Sequence, residues 1–346
     1  MKRIDKLLVP NYKKIKVLRI LDEYDLKKIN KNYNLSLMFI LKRYVKDSLF
    51  FFLKNIPLIN KIFFIRSRTL LSVKFKYDNM AGVYVNNQKN FKNEKYLALN
   101  EKNEVLECRG IITPYYADCL KGLFLLSKSK SLLEVGAGEL TTISLVLDSL
   151  KKKISYSGAI DISLNRLLVG KKYLKSQGNK VDFLARADAS QLPFKDNSFD
   201  MVYTCHCLEQ VPNLFIKSVK ELIRVSKKYI VIIEPSYEFS LIASRNNIYK
   251  KGYTKITNAL LSKTGFTPIY RKFLPLKNYI SSAEIIVFEK KNYSKSLKKK
   301  EIQFVSPISR EKLSKNKKFL LDKKNFKKYK IYKKIPLLAQ FDAENC

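Results

Sequence analysis

The sequence predicts an α/β fold: a mostly parallel sheet of seven strands with helices on both faces and one antiparallel edge strand. A mostly helical N-terminal segment and a small β-rich C-terminal module flank it. Three observations predict this. Apolar, β-rich runs alternate with helical patterns between residues 108 and 290, the signature of a parallel sheet covered on both sides. The first run, Leu132–Val135, leads directly into two closely spaced glycines, Gly136 and Gly138, as a tight strand-to-helix turn requires. The chain has 346 residues, 46% of them hydrophobic, enough to bury a full core.

Residues 1–107 read as a helical cap or substrate region. Their most apolar stretch, Ser48–Ile65, is interrupted by Lys54, Pro57 and Lys61. A membrane span needs about 20 mostly apolar residues, and central charges are costly there. Two short amphipathic helices meeting at Pro57 are expected instead. They either pack on the next domain or lie against a membrane or a greasy substrate.

Residues 108–290 form the main domain. Strands are expected at Leu132–Val135, Ile154–Ile160, Val181–Leu184, Met201–Thr204 and Ile230–Glu234, with helices at Thr141–Leu150, Leu164–Ser176 and Asn213–Val225. After a polar helical stretch, Phe239–Lys263, the runs Pro268–Phe273 and Ala283–Phe288 read as a hairpin on the sheet edge. Residues 291–346 open with a charged linker, Ser294–Glu301, and continue as a short β-like module.

The formal charge is +38, with lysine outnumbering arginine 56 to 12. Arginine's planar fork suits phosphate and base recognition better than lysine does, so the excess is either compositional bias or attraction to an anionic partner, RNA or a membrane surface. The charge is densest in residues 289–334, with 18 basic against 4 acidic side chains. The five cysteines are an odd number and no secretory signal opens the chain, which predicts a reducing, cytoplasmic location, with peripheral membrane association as a further option.

Ligands of such a sheet sit at the carboxyl ends of its strands, beside the first one. Gly136-x-Gly138 is there, followed by the unpaired N–H groups of a helix start. Asp161, at the end of the second strand, can accept from both hydroxyls of a ribose. A dinucleotide site would need glycine where Thr141 stands.

The stretch Ala187–Gln210, "ADASQLPFKDNSFDMVYTCHCLEQ", resembles the later motifs of class I S-adenosylmethionine-dependent methyltransferases, in particular the group that includes the ubiquinone and menaquinone methyltransferases. The matching positions are Asp188, Ala189, Leu192, Pro193, Phe194, Ser198, Phe199, Asp200, His206, Leu208 and Glu209. The resemblance covers roughly residues 110–290 and implies a Rossmann-like sheet, S-adenosyl-L-methionine as cofactor and methyl transfer as activity. It implies that Glu134, Gly136 and Gly138 hold the methionine part, Asp161 the ribose and Asp188 the adenine amino group, with the Ala189 N–H meeting the ring. Leu140 replaces a glycine and Gln210 a histidine that the family often has.

His206, the chain's single histidine, lies at the exit of the fourth strand; it either orients or deprotonates the acceptor, or merely lines the site. Strand alternation would send Cys205 and Cys207 to the face opposite His206, so no metal is expected there. Glu209 reads as a solvated helix-cap carboxylate. The acceptor is expected to be a small molecule, lipid or surface sugar; the alternatives are an RNA or translation-linked substrate, or a cofactor-binding protein without turnover.

The tail, Phe304–Leu313 and Tyr329–Ala339, resembles a small zinc-ribbon module associated with methyltransferases of the translation machinery, with Ser306 and Ser309 where that module has cysteines. Serine is a poor zinc ligand, so the tail is expected to lack metal and to fold by packing Phe304, Leu313, Leu320, Ile331, Ile335 and Leu337 onto the main domain.

Overall fold

The computed structural model describes residues 2–10, 17–20, 45, 49, 52, 53, 56, 68–90, 95–100, 102, 104–109, 112–150, 153–238, 240, 242–278, 283–290 and 303–346. Most of the apolar run Ser48–Ile65 and the linker Ser294–Glu301 lie outside them. Among the described residues no helix is long and apolar enough to cross a membrane.

In chain order the N-terminal part gives α1 (Lys2–Leu8), β1 (Val17–Ile20), α2 (Leu70–Asn79), α3 (Val83–Asn90), β2 (Lys95–Leu99) and β3 (Val105–Arg109). The main domain follows with α4 (Thr113–Leu126), β4 (Ser131–Val135), α5 (Thr141–Leu150), β5 (Tyr156–Asp161), α6 (Leu164–Ser176), β6 (Phe183–Arg186), β7 (Phe199–Cys205), α7 (Phe215–Val225), β8 (Ser226–Pro235), α8 (Ile242–Lys250), α9 (Asn258–Ser262), β9 (Tyr270–Phe273), β10 (Lys277–Asn278) and β11 (Ala283–Glu289). The tail supplies β12 (Ser314–Lys315), β13 (Phe319–Asp322), β14 (Lys327–Tyr332), β15 (Ile335–Pro336) and β16 (Ala343–Asn345).

The large sheet has the order β6-β5-β4-β7-β8-β11-β9. Strand β4 pairs in parallel with β5 and β7, so the turn after it opens at the switch point of the sheet. The antiparallel strand is present but inset: β11 pairs antiparallel with both β8 and β9, leaving β9 on the edge. The apolar content of β11 explains this, since six of its seven residues are buried, as only an inner strand permits. Helices α4, α5 and α6 cover one face; α7, α9 and the tail cover the other.

Among the described residues the N-terminal segment contributes strands as well as helices. Strands β1, β3, β2 and β10 form a second, antiparallel sheet, to which the main domain contributes β10. Strand β3 spans residues 105–109 and so runs across the position where the sequence places the start of the main domain. Helix α1 joins the main core through Ile4 and Leu8, and the Tyr115 hydroxyl donates to the Leu8 carbonyl at 2.8 Å.

The tail is fused to the main domain. Leu338 N–H donates to the Arg186 carbonyl at 2.7 Å, Val305 N–H to Pro193 at 3.0 Å, and Arg186 pairs with Asp342 at 3.1 Å. These contacts cover β6, the other edge of the sheet, whose unpaired backbone would otherwise invite aggregation. Leu313 and Leu320 are buried in the same core as β4 and α7, with Phe304 and Ile331 packed against it; Ile335 sits under α6. Leu337 does not join them. Its neighbour Leu338 is the fully buried residue, because alternation along an extended segment turns adjacent side chains opposite ways. At the position of a cysteine in the ribbon module, the buried Ser306 hydroxyl oxygen accepts from the N–H groups of Ile308 and Ser309, at 3.1 and 3.2 Å.

Candidate functional site

The turn after β4 is built from three left-handed residues, Gly136 (φ 75°), Gly138 (φ 52°) and Leu140 (φ 59°). A Cβ on Gly136 would lie 2.1 Å from Cys207 Sγ, and one on Gly138 would lie 2.4 Å from an Arg166 guanidinium nitrogen. Gly136 therefore excludes a side chain on two counts, conformation and space, and Gly138 on conformation, with the movable Arg166 guanidinium over it. Leu140 adopts the same geometry at a cost of roughly 1–2 kcal/mol. Complete burial against Ile143, Leu147 and Leu167 contributes a comparable amount, about 1.5–3 kcal/mol.

The turn is anchored from β5. Gly136 and Ala137 N–H both donate to the Ile160 carbonyl at 2.9 Å. Asp161 receives Gly138 N–H at 2.7 Å and Ser163 N–H at 2.8 Å. Burial pushes its carboxyl up, against the pull of Arg166 and of these two donors. Asp188 is buried and accepts both from the N–H and from the hydroxyl of Ser190, each at 2.8 Å.

Gly136, Asp161, Asp188, Ala189 and His206 line one cavity at the carboxyl ends of the strands. Gly138 stands behind it, under Arg166, and Glu134 lies deeper still, 2% exposed within the sheet. Burial raises the Glu134 carboxyl to about 8, and its Oε2 has no hydrogen-bond partner. A carboxyl with a raised folded-state value contributes stability that is complete below its ordinary value near 4.5 and is lost as the pH climbs through about 8. The Glu134→Gln variant should therefore lose less stability than the parent between pH 4.5 and pH 8, measured by urea unfolding at both ends. Equal slopes would show that folding leaves the Glu134 carboxyl at its ordinary value.

Strand β7 ends at Cys205, and His206 turns left-handed at φ 54° while its N–H donates to the Ile233 carbonyl at 2.9 Å. Strand alternation therefore does not extend past Cys205, contrary to the sequence expectation. Glu209 is not a solvated cap either: it is 7% exposed, takes the Gln210 amide N–H and approaches His206 Nδ1 to 3.9 Å. Burial works to lower the His206 value, but the Glu209 contact and the negative charge of Glu209 and Glu234 outweigh it, so the imidazole is shifted upward. Glu234, at the end of β8, accepts from the N–H groups of Cys207, Leu208 and Glu209 at 2.9, 2.8 and 3.2 Å, fixing the turn that carries His206.

Helix α2 closes the cavity from above, contributing Leu70, Val73 and Tyr77, and α3 packs beside it. Glu139, buried inside the glycine turn, receives Gly82 and Val85 N–H at 3.1 and 2.7 Å and so caps α3. Arg166, in the first turn of α6, pairs with Glu139 at 3.5 Å and lies 4.9 and 4.4 Å from the ring centres of Tyr77 and Tyr84. Asp78 on α2 accepts from the Ser163 hydroxyl at 2.6 Å. With α2 and α3 so held the cavity is narrow, about 60 Å3. Sequence reasoning missed Glu139, Arg166 and Glu234. The one local sign was the capping serine, Ser163, which places Arg166 three residues into a helix directly after Asp161.

Residues 133–232 match a protein-family model described as a methyltransferase domain. The chain is 40% identical over 93 residues to a demethylmenaquinone methyltransferase of Staphylococcus saprophyticus, covering 25% of this chain and 39% of that protein. It is 28% identical over 156 residues to ajmaline N-methyltransferase of Rauvolfia serpentina, covering 44% of this chain and 50% of that protein. The chain thus spans half or less of the length of these curated relatives. Among solved structures it resembles a magnesium protoporphyrin IX methyltransferase from Synechocystis PCC 6803, with a TM-score of 0.45 and 11% identity over 62% of this chain and 98% of that one.

Proposed function

We propose, on the premise that residues 133–232 form a class I S-adenosylmethionine-dependent methyltransferase domain, that this chain transfers a methyl group from S-adenosylmethionine to a small-molecule, lipid or sugar acceptor. The observation that carries the reading is the cavity in which Gly136, Asp161, Asp188, Ala189 and His206 converge at the switch point of the sheet.

The residues fit this cofactor. Beneath the cavity, Glu134 offers a buried carboxyl oxygen without a partner, which a nearby ammonium group would hold ionised. Asp161 lines the cavity and holds the Gly138 N–H, and its remaining lone pairs suit the ribose hydroxyls. Asp188 and the Ala189 N–H suit the adenine, and Gly136 leaves room for the methionine part. When bound, the cofactor supplies a methyl group already activated by its sulfonium, so the protein's task is positioning and charge. His206 lines the cavity with its Nδ1 toward Glu209, an arrangement that can take a proton from an approaching acceptor and stabilise the imidazolium that results. No catalytic triad is needed.

Calorimetry with S-adenosylhomocysteine tests the reading. Binding is expected, and no heat at millimolar ligand would overturn it. One observation favours a second reading, an RNA substrate: many lysines of the tail, Lys315, Lys317, Lys318, Lys323 and Lys324 among them, are exposed. Affinity for RNA would fall steeply with added salt, whereas turnover of a neutral small acceptor would change little. The tail is also proposed to fold without metal, because the Ser306 hydroxyl is engaged by the turn it begins. Elemental analysis should find no stoichiometric zinc, and a chelator should leave the melting temperature unchanged; one tightly held zinc per chain would overturn this.

A further inference from the structure

On the outer side of α2 lies a second, larger cavity of about 710 Å3, an open groove between α2, α3 and the end of α8. Arg68, Lys76 and Lys251 line it together with the rings of Tyr77, Tyr84 and Tyr253. It shares the Val73 and Tyr77 walls with the candidate cofactor cavity. The two are linked further by Arg68, which lines the groove and donates to the side chain of Gln210, a residue lining the inner cavity.

The direct contacts of these cations within the described residues are to neutral groups, with the Glu209 carboxylate one residue further in, behind Gln210. Arg68 donates to the Lys251 carbonyl at 2.7 Å and lies 4.7 Å from the centre of the Tyr253 ring, and neither contact supplies a negative charge. Lys251 lies 5.4 Å from the same ring, and Lys76 5.3 Å from that of Tyr77. Among the described residues, none of the three cations pairs with a carboxylate. Partial burial lowers the Lys76 ammonium, and the positive charges of Arg68 and Lys251 lower it further, against a smaller upward pull from Glu209. Three cations converging on one groove repel one another, and an anion between them would relieve that cost. The tyrosines add flat, polarisable surface with hydroxyl groups at its rim.

We propose that this groove binds the methyl acceptor, and that the acceptor is a small molecule bearing a phosphate ester or carboxylate beside an aromatic or similarly flat body. The proposal rests on the methyltransferase reading above and adds the chemical class of the acceptor to it. The anion seats between Arg68, Lys76 and Lys251, and the flat body runs along Tyr77 toward the cavity that His206 lines. The groove's lysines and arginine make the anion a requirement for productive binding, which sets this acceptor apart from a neutral quinol-like or alkaloid-like ring.

The test is calorimetry on the full-length protein, with and without S-adenosylhomocysteine, using phenyl phosphate, benzoate and benzyl alcohol as probes. The two anions should bind more tightly than benzyl alcohol by about tenfold, and the better of the two identifies the headgroup. The triple variant Arg68→Gln, Lys76→Gln, Lys251→Gln should lose about tenfold in anion affinity while keeping its melting temperature and its affinity for S-adenosylhomocysteine. A control that removes the same charge from the exposed tail, Lys315→Gln, Lys317→Gln, Lys318→Gln, should behave as the parent. Equal affinity for the anions and benzyl alcohol would overturn the proposal. So would equal losses in the two triple variants, which would assign the effect to bulk charge. Binding of a short RNA that depends on the groove cations, with none of phenyl phosphate, would overturn it in favour of a nucleic-acid substrate. Failure of S-adenosylhomocysteine to bind would count against the methyltransferase reading alone, because the probes titrated without it still report on the groove.

Discussion

Replacing Asp161 by alanine is expected to weaken binding of S-adenosylhomocysteine by about 1.5–3 kcal/mol, roughly ten- to 150-fold, the scale of lost charge-assisted hydrogen bonds. Two effects combine. The variant removes the acceptor expected to face the ribose, and it releases Gly138 N–H and Ser163 N–H, which the carboxylate holds at 2.7 and 2.8 Å. The glycine turn would then lose its tie to β5, and Arg166 would lose a neighbouring negative charge. Asp161→Asn should recover little, because an amide facing two backbone N–H groups can accept from one and must present its own N–H toward the other. A calorimetric loss below about twofold, with the fold intact by circular dichroism, would remove Asp161 from the ligand set.

The second large effect concerns stability. Phe194 is fully buried, with its ring centre 5.5, 5.1 and 5.7 Å from those of Phe183, Phe199 and Phe304. Phe304 belongs to the tail, Phe183 and Phe199 to the sheet. Phe194→Ala is therefore expected to cost about 3–5 kcal/mol in urea unfolding, through lost burial and the cavity left behind. The variant should also loosen residues 303–346 as a block, seen as faster amide exchange at Val305 and Leu338, whose N–H groups donate across the interface. A loss under about 1 kcal/mol would mean that the tail does not share the domain's core.

The parts of this protein that were legible beforehand are those encoded locally. Strands β4, β5, β6, β7 and β8 carry runs of apolar residues because they are buried on both faces, and the helices between them show helical periodicity. Gly136 and Gly138 are visible because a left-handed turn narrows the choice of residue at those positions. Asp161 and Asp188 follow the ends of β5 and β6, so counting along the chain places them beside the turn. Leu337 and Leu338 show the limit of such counting: both are apolar, and pairing with Arg186 decides which of them points inward.

Glu209, Glu139 and Arg166 were not legible for a different reason. Their roles depend on partners far away in the chain: Val85 N–H for Glu139, the rings of Tyr77 and Tyr84 for Arg166, and for Glu209 a turn that Glu234 organises from the next strand. A charged residue in a turn looks solvated until something is packed over it. By itself the sequence determined the succession of strands and helices along the main domain, the glycine turn and the carboxylates beside it, because each is a matter of local periodicity and backbone conformation. Tertiary structure alone decided that α2 and α3 close over that turn, that β11 lies inside β9, and that the tail covers the β6 edge. These are choices among surfaces of similar composition, settled by which burial leaves the fewest backbone groups unpaired.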